Sequence, residues 1–266
     1  MIYGMVARSK NGAMSLMKRT LPVITAALLI LSCSREARSA DAQPSTVVLE
    51  LFTSQGCSSC PPADKLLSRL RTESFPSGRV IALAYHVDYW DHLGWRDPFS
   101  SRQWSTRQND YAHARNSTQV YTPQVVIDGR EQLVGSAEGA IRKEIAHQFE
   151  AGDRGAIAIE HVTKNADAWI VDVRSHIDAN VHANIVTVLF ENGITTAIKS
   201  GENSNVTLLN DAIVRWESRG DAARATESKS RITIPIDKRW NTAHLGVAVF
   251  LQDPKSLTIY VADATP

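Results

Sequence analysis

The 266-residue sequence has few cysteines, no excess charge of either sign and no long apolar run. Lys and Arg total 29 and Asp and Glu total 28, so the net charge of +1 gives no electrostatic reason to expect nucleic acid as a partner. Hydrophobic residues make up 43% of the chain, which is enough for a sizeable core and excludes extensive disorder. The composition therefore predicts one or two folded domains.

The apolar run at residues 21–31 is too short to span a bilayer, which needs about 20 apolar residues. It follows Lys18-Arg19 and precedes small residues, the pattern of a secretory signal peptide. Residues 1–42 are therefore predicted to be a signal peptide, and Met14 offers a later start. The mature protein is expected to be exported, either to the periplasm or as a secreted protein.

Two cleavage sites are open. Ala40-Asp41-Ala42 fits the small-x-small rule of ordinary signal peptidase. Residues 30–33 resemble a bacterial lipobox, which would leave Cys33 as a lipidated first residue and the protein as a lipoprotein. Membrane attachment is expected only in that second case.

The three cysteines reduce to one pair in the mature chain, because Cys33 is removed or capped under either reading. Cys57 and Cys60 are separated by two residues, so their disulfide would close too short a loop to act as a long staple. No second CxxC exists, and two cysteines alone cannot fill a tetrahedral zinc shell. The pair is therefore predicted to be redox-active.

Residues 44–151 show the element order β-α-β-(helical insert)-β-β-α, with the insert at about 91–119. A β-branched run at 46–52 predicts a buried strand that leads through a turn to the CxxC. Pro61-Pro62 then opens a helix, since proline is tolerated in a first helical turn. This is the order of a thioredoxin-like α/β domain.

Residues 155–266 have a different texture, with about seven short strands separated by polar turns and no clear helix. That pattern predicts an all-β, sandwich-like second domain. The fold class expected for the whole chain is therefore an α/β thioredoxin-like domain followed by a β-sandwich-like domain.

The CxxC lies at a predicted helix N-terminus, where partial positive charge and free N–H groups stabilise a thiolate. Cys57 is expected to face solvent and attack, and Cys60, one turn further in, to resolve the mixed disulfide. Thr122-Pro123 opens a later strand in the manner of the cis-proline that faces the CxxC in thioredoxin-like folds. Pro123 is therefore predicted to be cis and to belong to the site.

A second polar cluster lies at the end of the second strand and includes His86, Asp88 and His92. Three interpretations stay open: a proton-transfer partner for the thiols, a metal-ligand set with Cys57 and Cys60, or a hydrogen-bonded loop anchored by neighbouring tryptophans.

The sequence also resembles a known family, the exported proteins called domain of unknown function 1223, within the thioredoxin-like superfamily. The resemblance rests on residues 50–64, 85–91, 121–125 and 201–203. It implies a thioredoxin-like domain with a β-rich extension and supplies no activity. Cys57, Cys60 and Pro123 match the general thioredoxin-like pattern.

The function expected from these observations is exported thiol–disulfide exchange with protein or small-molecule thiols and disulfides. No cofactor is expected, and the oligomeric state and direction of electron flow stay open. The alternatives are a periplasmic copper-binding or copper-delivery protein and a non-catalytic binding module.

Overall fold

The strands and helices form where the apolar runs and turn residues of the sequence place them. The computed structural model describes residues 45–178, 181–221 and 227–265, so the predicted signal peptide and Cys33 lie outside the described residues. In the described ranges, helices span Pro61–Thr72 (α1), Arg102–Ala114 (α2) and Glu138–Ala151 (α3). The strands of the first region are Ser45–Thr53 (β1), Gly78–His86 (β2), Gln124–Ile127 (β3) and Glu131–Val134 (β4).

After α3 the described chain is almost entirely β, as its short apolar segments and polar turns predict. The strands are Ala156–Lys164 (β5), Ala168–His176 (β6), Asn184–Glu191 (β7), Ile194–Ala197 (β8), Thr207–Asn210 (β9), Ile213–Asp221 (β10), Ser228–Pro235 (β11), Leu245–Gln252 (β12) and Ile259–Ala264 (β13). Residues 206–216, which the sequence predicts as one of the seven short strands, form two strands, because Ala212 at φ 56° breaks the extended backbone before β10. None of the described helices has the length and apolarity to cross a bilayer.

The two regions are not separate folds, and the predicted fold class is wrong on this point. Eight strands from both regions form one mixed sheet in the order β13-β12-β7-β10-β2-β1-β3-β4. The junction is the parallel pairing of β10 with β2 at Ile213 and Ala84, where the Ala84 N–H also donates to the Ala212 carbonyl at 2.8 Å. The described residues are mostly β, with 44% in strands and 20% in helices, rather than a thioredoxin-like domain followed by a sandwich.

The physical reason lies in β7 and β12, which are buried along nearly their whole length. A sandwich strand exposes alternate residues, whereas a strand buried on both faces has a layer on each side. On β12, Ala248 and Phe250 face the core shared with β1 and β2, while Val247 and Val249 face a second core. The separate three-stranded sheet β11-β6-β5 covers that second core.

Strand β1 lies near the middle of the large sheet, parallel to β2 and antiparallel to β3. Its side chains alternate by the strand period of two. Leu49 and Leu51 pack with α1 residues and with Ile141 of α3, whereas Phe52 contacts Tyr111 of α2. The helices thus cover opposite faces, and the CxxC follows the end of this buried strand.

A fully buried charge network ties α2 to both regions of the sheet. Arg107 of α2 donates to Glu50 of β1 at 2.6 and 2.8 Å and pairs with Glu217 of β10 at 3.4 Å. Burial alone would lower the pKa of Arg107, but Glu217 and Glu50 raise it well above its usual range. The guanidinium also lies 5.3 Å from the ring centre of Tyr85. One side chain therefore joins three elements of the core.

Candidate disulfide site

Cys57 and Cys60 form a disulfide between the end of β1 and the start of α1, with their Cα atoms 5.4 Å apart. The Cys57 N–H donates to the Ser54 carbonyl and the Cys60 N–H to the Cys57 carbonyl, both at 3.2 Å, so the loop turns tightly. Cys60 is the N-cap of α1, and the two prolines that follow occupy positions without helical N–H partners. The predicted position at a helix N-terminus is confirmed.

The expected exposure of Cys57 is wrong, because both cysteines are 0% exposed. Only Ser58 and Ser59, between them, reach solvent. The Sγ of Cys57 lies 3.3 Å from the Ser59 hydroxyl, so this sulfur is next to a surface group although it is itself covered.

The disulfide loop is contacted by the second region, at the turn of residues 201–203. The Asn203 amide donates to the carbonyls of Gln55 and Cys57, each at 2.9 Å. The Glu202 carboxylate accepts the Ser58 N–H at 3.0 Å, and hydrogen bonding from the Ser58 side chain and then from this N–H holds the pKa of Glu202 below its usual range. Two side chains of one turn thus hold the backbone of the disulfide loop.

The 201–203 turn is itself seated on the loop that follows β2. Gly201 has φ +77°, and a Cβ there would lie 3.0 Å from the Cβ of Trp95. The Ser200 hydroxyl donates to the Gly94 carbonyl at 2.6 Å. Glycine is therefore required at position 201 both by the left-handed backbone and by this close approach.

Pro123 follows a cis peptide bond from Thr122, as predicted. It is buried and lies beside α1. A Cβ atom added to Gly135 would be 3.0 Å from the Pro123 Cβ and 3.1 Å from the Cβ of Ala63 in α1, so the three residues meet at this point. The Trp90 indole N–H donates to the Thr122 hydroxyl at 2.8 Å. The proline is thus packed next to the first turn that follows Cys60.

A buried carboxyl, Asp64, follows Cys60 by one turn of α1. It accepts the Thr53 hydroxyl at 2.8 Å, and its N–H donates to the Cys60 carbonyl at 3.1 Å. Burial raises the pKa of Asp64 to about 6, although the charge of His86 and the Thr53 hydrogen bond act in the opposite direction. Asp64 was not among the site residues predicted from the sequence. It could have been found as a carboxylate among the apolar residues on the buried face of α1.

His86 lies beside Thr53 in the parallel pairing of β1 and β2 and is 1% exposed. Its Nδ1 lies 2.7 Å from Asp97, which also accepts the Gln55 N–H at 2.8 Å. Burial alone would lower the pKa of His86, but Asp97 and then Asp64 raise it. The His86 Nε2 atom is buried without a hydrogen-bond partner in the structure. His86 therefore belongs to a buried polar cluster under the disulfide loop.

Asp88 and His92 do not join this cluster. The Asp88 N–H donates to the Ser105 hydroxyl at 3.1 Å, which fastens the loop after β2 to α2. His92 is exposed. In the described part of the chain, no group of three or more His, Cys, Asp or Glu side chains is arranged to hold a metal ion.

We expect Asp64→Asn to change how stability depends on pH. The folded-state pKa of Asp64 is raised from 3.8 to about 6. The stability that protonated Asp64 contributes is therefore fully present below about pH 4 and is lost as the pH rises through about 6. The asparagine never ionises. The free energy of unfolding of the variant, relative to that of the wild type, should therefore rise by about 2–3 kcal/mol between pH 4 and pH 8. Urea unfolding at both pH values measures this gain.

The exposed Asp167→Asn is the matched control, and its difference from wild type should change by less than about 0.5 kcal/mol over the same interval. A constant difference between Asp64→Asn and wild type at the two pH values would contradict a raised pKa at Asp64.

The sequence model of the family described as "Protein of unknown function (DUF1223)" matches residues 48–252. The chain belongs to this family. The match includes every residue of the disulfide site described above and extends through β12. No curated protein matches the chain.

Two solved structures share the fold. A crystal structure of a protein from Agrobacterium tumefaciens is 28% identical, covers 84% of this chain and 95% of that one, and superposes with a TM-score of 0.61. HBP35 of Porphyromonas gingivalis is 16% identical over 84% of this chain and 76% of that one, with a TM-score of 0.65. At that identity the second likeness concerns the fold alone.

Proposed function

We propose that this family member is an exported thiol–disulfide oxidoreductase whose working group is the Cys57–Cys60 pair. The observation that carries the proposal is the pair's position at the N-terminus of α1, where the positive end of the helix dipole stabilises a thiolate. A disulfide that closes a loop this short constrains little of the unfolded chain, so a purely structural role explains it poorly.

The reaction is a two-step exchange that needs a thiol or disulfide partner and no cofactor. A partner thiolate attacks the Cys57 Sγ, the Cys57–Cys60 bond breaks, and Cys60 leaves with the electron pair and takes up a proton. The mixed disulfide between the partner and Cys57 is then resolved by a second thiol, which leaves both cysteines reduced and the partner oxidised. The reverse sequence transfers electrons from the pair to a partner disulfide.

Neighbouring groups support this chemistry. Asp64 is the buried carboxyl one helical turn beyond Cys60, and it is proposed to exchange a proton with that cysteine. Pro123, next to the same turn, is proposed to position the partner's backbone against the pair. We place the mature protein in the periplasm or outside the cell, where disulfides persist.

The surface near the pair favours a polypeptide as partner over a small thiol. In the described part of the chain, the exposed large hydrophobic residues are Leu93, Tyr121, Val134, Val206 and Leu209. Each lies within two residues of a position that contacts the disulfide loop, the 201–203 turn or Pro123. We propose that a polypeptide partner covers these exposed apolar side chains.

The test is the reduction of insulin by dithiothreitol, followed by the turbidity of the released chain. We expect the Cys33→Ser protein, in which the pair holds the only cysteines, to accelerate the reaction over dithiothreitol alone. The Cys57→Ala/Cys60→Ala double variant should return the rate to that background. Ser58→Ala, an exposed change between the cysteines, is the matched control and should keep the acceleration. A Cys33→Ser protein no faster than background would overturn the proposed function.

A further inference from the structure

The loop that carries the Cys57–Cys60 disulfide is hydrogen-bonded to a turn of the second region, residues 198–206, and we call this segment the latch turn. Its ends are joined by the Ile198 N–H, which donates to the Val206 carbonyl at 2.9 Å. The Asn205 N–H closes the turn on the Ile198 carbonyl at the same distance. The turn is therefore a formed element, with its own hydrogen bonds, that sits on the disulfide loop.

Asn203 is the member of the latch turn that reaches inward. It is 7% exposed, and its amide nitrogen donates to the carbonyls of Gln55 and Cys57. An amide nitrogen has two hydrogens, so both are used on the loop that carries the attacked sulfur. Its neighbours Glu202, Ser204 and Asn205 are exposed, so Asn203 makes the buried contact between the turn and the loop.

The burial of Cys57 limits the access of a partner thiolate to its sulfur. An attacking thiolate must approach the Cys57 sulfur, yet Cys57 is 0% exposed. The sulfur lies 3.3 Å from the hydroxyl of Ser59, which is exposed. The latch turn holds the same loop: Asn203 donates to the Cys57 carbonyl, and Glu202 accepts the Ser58 N–H between the two cysteines.

We propose that Asn203 is a positioning residue that controls access to the disulfide: exchange proceeds when its side chain releases the carbonyls of Gln55 and Cys57. This inference rests on the proposed function, because it assigns a regulation to the same site. Opening the latch turn exposes the Cys57 Sγ to a thiolate, and the balance of the exchange is unchanged. The contact gives the second region of the chain a role in the chemistry of the first.

The experiment measures how fast dithiothreitol reduces the folded protein's disulfide, in the Cys33→Ser background and at urea concentrations far below every unfolding midpoint. We expect Asn203→Ala to be reduced about tenfold faster, which corresponds to about 1.4 kcal/mol less free energy of opening. Asn203→Leu keeps a similar volume but cannot donate, so it should be accelerated as well. Ser204→Ala, in the same turn but exposed, is the matched control and should keep the original rate.

Equal rates for Asn203→Ala and the Cys33→Ser protein would overturn the inference. Acceleration in Asn203→Ala but not in Asn203→Leu would also overturn it, because bulk rather than hydrogen bonding would then cover the sulfur. The outcome is separable from the proposed function, since reduction by dithiothreitol needs no catalysis of insulin. If insulin is reduced normally but Asn203→Ala is not accelerated, only the role of Asn203 is contradicted. If Asn203→Ala is accelerated but insulin is not reduced, only the proposed function is contradicted.

Discussion

Arg107→Ala is expected to lower the free energy of unfolding by about 3–5 kcal/mol. The guanidinium and Glu50 are both 0% exposed, and Glu217 keeps only 1% of its side chain exposed. Removing the cation leaves the Glu50 carboxylate in the core without the charge that pairs it, whereas Glu217 keeps its ion pair with Arg219 at 3.0 Å. It also removes the contacts with the rings of Tyr85 and Tyr111. Urea unfolding of the variant and the wild type measures the loss.

The matched control is Arg69→Ala, which breaks an ion pair with Glu138 in which both side chains are largely exposed. Exposed pairs contribute about 0–1 kcal/mol, so this variant should stay close to wild type. The network also joins α2 and β1 to β10, so Arg107→Ala should destabilise both regions of the chain in one transition. A loss below about 1 kcal/mol for Arg107→Ala, or separate transitions for the two regions, would contradict the integrated sheet.

The local elements follow from the sequence because each is set by nearby residues. The apolar run before the CxxC, the prolines after it and the Asp128-Gly129 turn predict β1, α1 and the β3–β4 hairpin at close to their observed bounds. Pairing between distant strands has no such signal in one sequence. The pairing of Ile213 with Ala84 could not be predicted from periodicity, although the unbroken apolar character of β7 and β12 indicates strands covered on both faces.

The same limit applies to the candidate site. The cysteines and the cis-proline follow from spacing and from a local motif, and the structure places Pro123 next to α1. The contacts of Asn203 with Gln55 and Cys57 span almost 150 positions of the chain and depend on the sheet that joins the two regions. Glycine, glutamate and asparagine in a row predict a turn, as observed, but not what the turn touches.

The largest functional effect is expected at the cysteines themselves. With Cys60→Ser, a partner disulfide attacked by the Cys57 thiolate gives a mixed disulfide that has no neighbouring thiol to resolve it, so the adduct should accumulate. With Cys57→Ser, the remaining Cys60 thiol is buried under the loop and should react far more slowly. The assignment of Cys57 as the attacking residue rests on the closeness of its sulfur to the exposed Ser59 hydroxyl.

Both variants are made in the Cys33→Ser background so that each holds one cysteine. Ser58→Ala with both cysteines present is the matched control, because it can resolve any adduct and should return to the intramolecular disulfide. Equal adduct formation by the two single-cysteine variants would contradict the division of roles between Cys57 and Cys60.

The measurement that tests the central claim most directly is the intact mass of folded Cys60→Ser after incubation with glutathione disulfide. Thiol–disulfide exchange at this site predicts one added glutathione per chain, attached at Cys57 and removed again by dithiothreitol. A folded protein whose mass does not change, while an unfolded sample under the same conditions takes up glutathione, would show instead that the Cys57–Cys60 pair is an inert buried disulfide.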